Sequence, residues 1–187
     1  PFEPYDGYIG NNTTEYHNEY TAPNWLAFRL TDDNKFEFLG EEGYFERTAI
    51  HHWDFDSEEE KELQEMQEGY EKNKANFEKY GLLVSLQYPE YNGKPNFTKF
   101  LDHLGGDILS GNWQGAIDYD QYPKAFDMKL EYENQSSPDW IKISYQGNPF
   151  YFIADTASYD WCKGHIDGII MLYEPVSRIV LFTFDYS

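Results

Sequence analysis

Ile166-Asp-Gly-Ile-Ile-Met-Leu-Tyr173, then Glu174-Pro-Val-Ser177, then Ile179-Val-Leu-Phe-Thr-Phe184 is the stretch that decides the fold. Two runs rich in β-branched, leucine and aromatic residues flank a short cluster containing turn formers, which predicts two strands paired antiparallel. Working back from there, residues 126–132, 140–145 and 150–155 read as further strands. Phe150, Phe152 and Ala154 alternate with Tyr151, Ile153 and Asp155, and apolar residues on both faces predict an interior strand. Residues 82–88 read as a short strand ended by Pro89, and residues 96–104 as a short helix stopped by Gly105-Gly106.

One long helix precedes this strand-rich half. Ser57 with Glu60 three residues on forms a capping box, in which hydroxyl and carboxylate each satisfy a free backbone donor. Glu58, Glu59 and Glu60 also complement the positive end of the helix dipole. Leu63, Met66, Tyr70, Phe77 and Tyr80 fall on one stripe, and Gly81 supplies a left-handed stop. The spacing predicts a helix over 58–80. In front of it, Trp25-Leu-Ala-Phe-Arg-Leu30, a Thr31-Asp-Asp-Asn34 turn and Lys35-Phe-Glu-Phe-Leu39 predict a hairpin, and residues 44–50 a third strand. The Tyr-rich segment 5–20 has neither period and reads as an arm on the surface. Strands, one long helix, then more strands predict a single α+β domain over 1–187: a mostly antiparallel sheet covered by the long helix, with an acidic Tyr-rich arm and hairpin in residues 1–56.

Composition bounds the function. The 187 residues hold 34 Asp and Glu against 14 Lys and Arg, a net charge of −20, yet 19% are aromatic, and acidic disordered chains are poor in aromatics. A chain of this size buries about 70% of its extended surface without disulfides or metals. Residues 1–60 carry 15 acids and 3 bases, residues 61–110 carry 8 and 6, and residues 111–187 carry 11 and 5. This density repels phosphate backbones and anionic lipid heads, so neither nucleic acid nor membrane is an expected partner, and a basic protein is. No apolar run approaches the ~18 residues needed to span a bilayer. The chain begins at Pro1 without the basic, apolar, small-residue order of a signal peptide, which points to a trimmed or processed start. A single cysteine, Cys162, fits a reducing compartment, so a cytoplasmic location is expected.

His51-His-Trp-Asp-Phe-Asp56 is the densest group of potential metal ligands. On an extended segment His52, Asp54 and Asp56 share a face, so His51, His52, Asp54 and Asp56 define an alternative metal-dependent enzyme. As a calcium loop the segment would place Glu59 where a glycine is needed. Cys162 lies three residues from His165, but the negative field raises a thiol's pKa, and a small buried hydrophobe is expected there. Gly105-Gly-Asp-Ile-Leu-Ser-Gly111 lacks the Gly-Lys-Ser/Thr ending of a phosphate loop. Neither cofactor nor catalytic residue is expected. Stacking of sugar rings on Tyr and Trp, as in an extracellular carbohydrate-binding module, would account for the aromatics but not the charge.

Leu104-Gly-Gly-Asp-Ile-Leu-Ser-Gly-Asn-Trp113, Asn148-Pro-Phe-Tyr-Phe-Ile-Ala-Asp155, Ile169-Ile-Met-Leu-Tyr-Glu-Pro175 and Arg178-Ile-Val-Leu-Phe-Thr-Phe-Asp185 look like the YwqG-like domain family of bacterial proteins. The resemblance covers about residues 104–185. Ile108 stands where the family pattern has a proline, and the long helix with its acidic front has no counterpart there. The family supplies no catalytic residues to carry over and is similar to immunity proteins found beside bacterial toxins, so the resemblance implies a binding protein rather than an enzyme. Charge and resemblance together lead to one expectation: an acidic immunity protein or antitoxin that neutralises a basic toxin domain, a nuclease being a natural target. The expected contact residues are Asp32 and Asp33 at the hairpin tip, Glu41 and Glu42, then Asp54, Asp56, Glu58, Glu59 and Glu60, with Trp25 and Trp53 as aromatic anchors.

Overall fold

The computed structural model describes residues 9–45, 57–108, 111–114, 117, 119–131, 140–162 and 166–186, the side chains of Ser57 and Glu59 excepted. The strands are β1 (Trp25–Leu30), β2 (Phe36–Phe38), β3 (Leu83–Val84), β4 (Glu90–Tyr91), β5 (Lys94–Pro95), β6 (Phe97–Thr98), β7 (His103–Leu104), β8 (Asp127–Glu131), β9 (Trp140–Tyr145), β10 (Asn148–Pro149), β11 (Tyr151–Thr156), β12 (Gly168–Glu174) and β13 (Ile179–Asp185). Helix α1 spans Ser57–Tyr80 and the single turn α2 spans Ser158–Trp161. The α+β class is therefore observed.

The stretch quoted first forms the centre. β12 and β13 pair antiparallel from Gly168↔Asp185 to Glu174↔Ile179, in a six-stranded sheet of order β2-β1-β13-β12-β11-β7. Strand alternation sends Trp25, Ala27, Ile179, Leu181, Ile170 and Leu172 to one face, where they pack with Phe126, Met128, Ile141 and Ile143 of the β10-β9-β8 sheet and its approach. Leu26, Phe28, Phe182, Phe184 and Ile169 take the other face, against Ile9, Tyr44 and Phe45. Both faces are thus apolar, which is why these runs are nearly continuous in hydrophobicity rather than alternating. β11 is interior, between β12 and β7, with its register shifted between Phe152 and Ala154.

Three expectations change. The second face of the sheet is covered by the N-terminal segment, while the long helix packs beside the sheet. Leu63 and Met66 of α1 meet Cys162 after α2, and the buried Asn73 donates to the Asp160 carbonyl (2.7 Å) while its Oδ1 accepts from Val84 N–H of β3 (3.1 Å). Residues 96–104 are β6 and β7 rather than a helix, because Leu83 and Val84 pair with Thr98 and Phe97, and Asp102 and Gly105 donate to carbonyls of β11. The described part of the arm is fastened down. Tyr44 Oη lies 2.9 Å from the Ile9 carbonyl and 3.0 Å from that of Ala22, and Thr13 Oγ1 donates to the Tyr44 carbonyl (2.6 Å). Tyr44 itself sits in a 3₁₀ turn, and the remainder of the third strand expected over 44–50 lies beyond Phe45, outside the described residues. At the far end of α1, Gly81 has φ +68° and donates to the Phe77 carbonyl at 2.8 Å, the left-handed stop its sequence predicts.

His17 belongs to this fastening and makes it acid-sensitive. Its Nε2 lies 2.8 Å from the Gly10 carbonyl, and its ring centroid is 5.4 Å from that of Tyr44. Burial lowers its pKa, opposed by the Gly10 carbonyl and the charge of Glu15. The unfolded chain therefore takes up this proton first, so the site is unpenalised above the ordinary histidine pKa of about 6.5 and loses stability as pH falls below it. Melting curves recorded at several pH values from neutral downward should show a smaller acid-side decline in Tm for His17→Gln, which keeps an amide donor for Gly10. An unchanged profile would remove His17 from the account.

Candidate interaction surface

Among the described residues only one carboxylate, Glu174, is buried. The rest of the described acidic charge is at least partly exposed, and its neighbours decide what it can do. At the hairpin tip Asp32 pairs with Arg178 (3.1 Å), whose guanidinium also donates to the Thr31 carbonyl (2.8 Å). Asp33 pairs with Lys35 at 2.7 Å and accepts from Thr31 Oγ1 at 2.6 Å, and these two hold its carboxyl below the usual aspartate range. Each tip aspartate thus has its own cation, and the tip offers little unmet charge. Glu41 and Glu42 are exposed beside and within the 3₁₀ turn that carries Tyr44. Glu58 and Glu60 are exposed on the first turn of α1. Trp53, Asp54 and Asp56 lie outside the described residues, as does the alternative ligand set His51, His52, Asp54 and Asp56.

Trp25 is a correction. It has no exposed surface, and its indole packs edge-on against Trp113 at 5.6 Å between ring centroids. Its place opposite Thr183, one strand from the sheet centre, puts it in the main core, so it cannot anchor a partner. Cys162 is buried beneath α2, its Sγ 3.3 Å from the Ser158 carbonyl, as expected of a small hydrophobe.

A second acidic region lies at the β7 edge and α2, where no local sequence pattern points. His103 Nδ1 lies 2.9 and 3.0 Å from the two oxygens of Asp155, and the His103 backbone N–H donates to the same carboxylate at 2.8 Å, which ties the edge strand to β11. Asp102 Oδ2 accepts from Ala157 N–H (3.1 Å), and Asp160 Oδ1 lies 3.4 Å from Thr98 Oγ1. Burial and then the charge of Asp102 push the Asp160 carboxyl up, with Thr98 opposing. Burial, Asp160, Asp102 and Asp167 in turn raise the Tyr159 phenol. Carboxylates therefore crowd this end of the molecule, and among the described residues neither Asp102 nor Asp160 has a cationic partner. No group of three or more His, Cys, Asp or Glu among the described residues is placed to hold a metal.

Beside these carboxylates the rings of Phe100, Phe77, Trp161 and Tyr70 form a chain, and the Tyr80–Phe97 pair next to it extends this into an aromatic ridge. Centroids are 5.3 Å apart for Tyr80 and Phe97, 4.9 Å for Phe77 and Phe100, 5.8 Å for Phe77 and Trp161, and 6.3 Å for Trp161 and Tyr70. Phe77 and Tyr80 lie about one turn apart on α1, which sets the pair beside the chain. The Trp161 indole donates toward the Phe100 carbonyl (3.2 Å) and Thr156 Oγ1 (3.1 Å), fixing the acidic end of the ridge to β11. No described helix is long and apolar enough to cross a membrane. No protein-family model, no curated protein and no solved structure matches the chain.

Proposed function

We propose that this chain is a stoichiometric inhibitor, an acidic immunity or antitoxin protein that binds and neutralises a basic toxin domain. A nuclease is the natural target, because enzymes that act on nucleic acid carry basic clefts and an acidic protein competes for their phosphate sites. One observation carries this reading: a net charge of −20 is held by carboxylates of which, among those described, all but Glu174 reach the surface. The likeness of residues 104–185 to the YwqG-like family supports it. So does the abundance of Tyr and Trp, which supply rigid contact area at low entropic cost. On this reading the chain works in the cytoplasm without a cofactor and engages neither nucleic acid nor membrane.

Co-expression with the product of the adjacent gene, followed by size-exclusion chromatography and titration calorimetry, tests it. The expected result is a one-to-one complex with a basic protein whose toxicity the chain abolishes, and whose affinity drops at least tenfold as salt shortens the screening length from about 10 Å to about 3 Å. A neighbour that is not toxic, or a complex indifferent to salt, would overturn the reading.

A further inference from the structure

We infer that the six-ring ridge of α1, β6 and α2, with Asp102 and Asp160 at its Trp161 end, docks a segment of the basic partner that alternates apolar side chains with lysine or arginine. This rests on the function proposed above and adds the surface and the chemistry that it holds. The first support is exposure. Tyr70, Phe100, Tyr80 and Phe97 are 36, 37, 42 and 43% exposed although each packs against another ring of the ridge, and exposed aromatic rings gathered on one surface mark an interaction site.

The second support is charge. Asp102 accepts from the N–H of Ala157, which caps α2, and Asp160 lies in that same turn, so the two carboxylates crowd one helix end; no described cation pairs with either, in contrast to Asp32 and Asp33 at the hairpin tip. A guanidinium or ammonium seated between the two would convert a repulsion into two charge-assisted contacts. The rings can take a cation too: Lys79 Nζ already lies 4.6 Å above the centre of Tyr80. Lys74 is exposed on α1 and Lys99 directly after β6, so the surface is mixed along its length and acidic at one end, which gives a bound segment a direction. A second copy of the chain is a poor occupant, because two molecules of −20 charge repel.

The probe is a short fluorescent peptide alternating arginine and leucine, titrated into the full chain and followed by anisotropy. Wild type should bind, and both Asp102→Asn with Asp160→Asn and Tyr70→Ser with Phe97→Ser should weaken binding roughly tenfold. Asp32→Asn with Asp33→Asn should leave it unchanged. The Asp102/Asp160 pair of changes removes a repulsion, so its Tm should stay level or rise, which separates lost binding from lost folding. Equal binding by wild type and both ridge variants, or an equal loss in the tip variant, would overturn the ridge while leaving the basic-partner reading intact. Absence of any binding to wild type would count against both. Concentration-dependent dimers in sedimentation that the ridge variants abolish would assign the surface to a second copy and overturn the inference.

Discussion

Trp25→Ala is expected to cost about 3–5 kcal/mol of folding stability. The indole is fully buried on the inner face of β1, edge-on to Trp113 and in one cluster with Ala27, Ile179, Leu181 and Phe126. Truncation to alanine opens a cavity between the two sheets, on a strand fixed in place by its pairing Trp25↔Thr183 with β13. For a chain of this size each kcal/mol moves Tm by about 2–4 °C, so a fall of roughly 6–20 °C is expected. Trp25→Phe should cost much less. The Trp25 Nε1 is buried with no acceptor, and removing it offsets part of the lost area. Urea unfolding of the three proteins gives the ordering directly. Had Trp25 been an exposed anchor, Trp25→Ala would leave stability untouched and lower affinity instead, so this substitution separates the two placements.

The two roles of Trp25 show where the sequence stops being legible. In Trp25-Leu-Ala-Phe, residues of both alternations are apolar, so the pattern says strand without saying which face meets water; here neither face does. The β12–β13 hairpin and α1 were readable because their signals are local: a turn between two β-rich runs, and a glycine stop after a stripe of apolar residues. Residues 96–104 read as a helix by local pattern because what settles them is distant, the backbone donors and acceptors of β3 and β11. The helix that α1 was expected to be is present. Its clamp Asn73 gave no signal, since a polar residue at mid-helix ordinarily faces solvent. The candidate surface suffers most from distance. Asp102 and Asp160 come together only through β7, β11 and α2, and Arg178 reaches Asp32 only because one hairpin turn docks on another, so charge counting along the chain ranks the tip above a region that its own cations leave uncompensated.

Glu174 provides the second large effect, at the turn that joins the two central strands. Its carboxylate has no exposed surface and accepts from Val176 N–H at 2.6 Å and Ser177 N–H at 2.8 Å, closing Pro175–Arg178 into a fixed loop. Arg178 follows in a left-handed conformation (φ +58°), its carbonyl accepts from Leu30 N–H at 2.8 Å, and its guanidinium reaches Thr31 and Asp32. The buried acid thus organises its own turn and, through Arg178, the neighbouring β1–β2 turn. Glu174→Ala should cost about 3 kcal/mol, because two turn amides lose the charged acceptor that holds them. Glu174→Gln retains one acceptor but turns an NH₂ toward the second amide, so it should fall between alanine and wild type. If the loss spreads as the geometry indicates, amide exchange will accelerate at Leu30 as well as at Val176 and Ser177. A stability change confined to the 175–178 turn, with Leu30 unaffected, would show that Arg178 docks independently of the carboxylate beneath it.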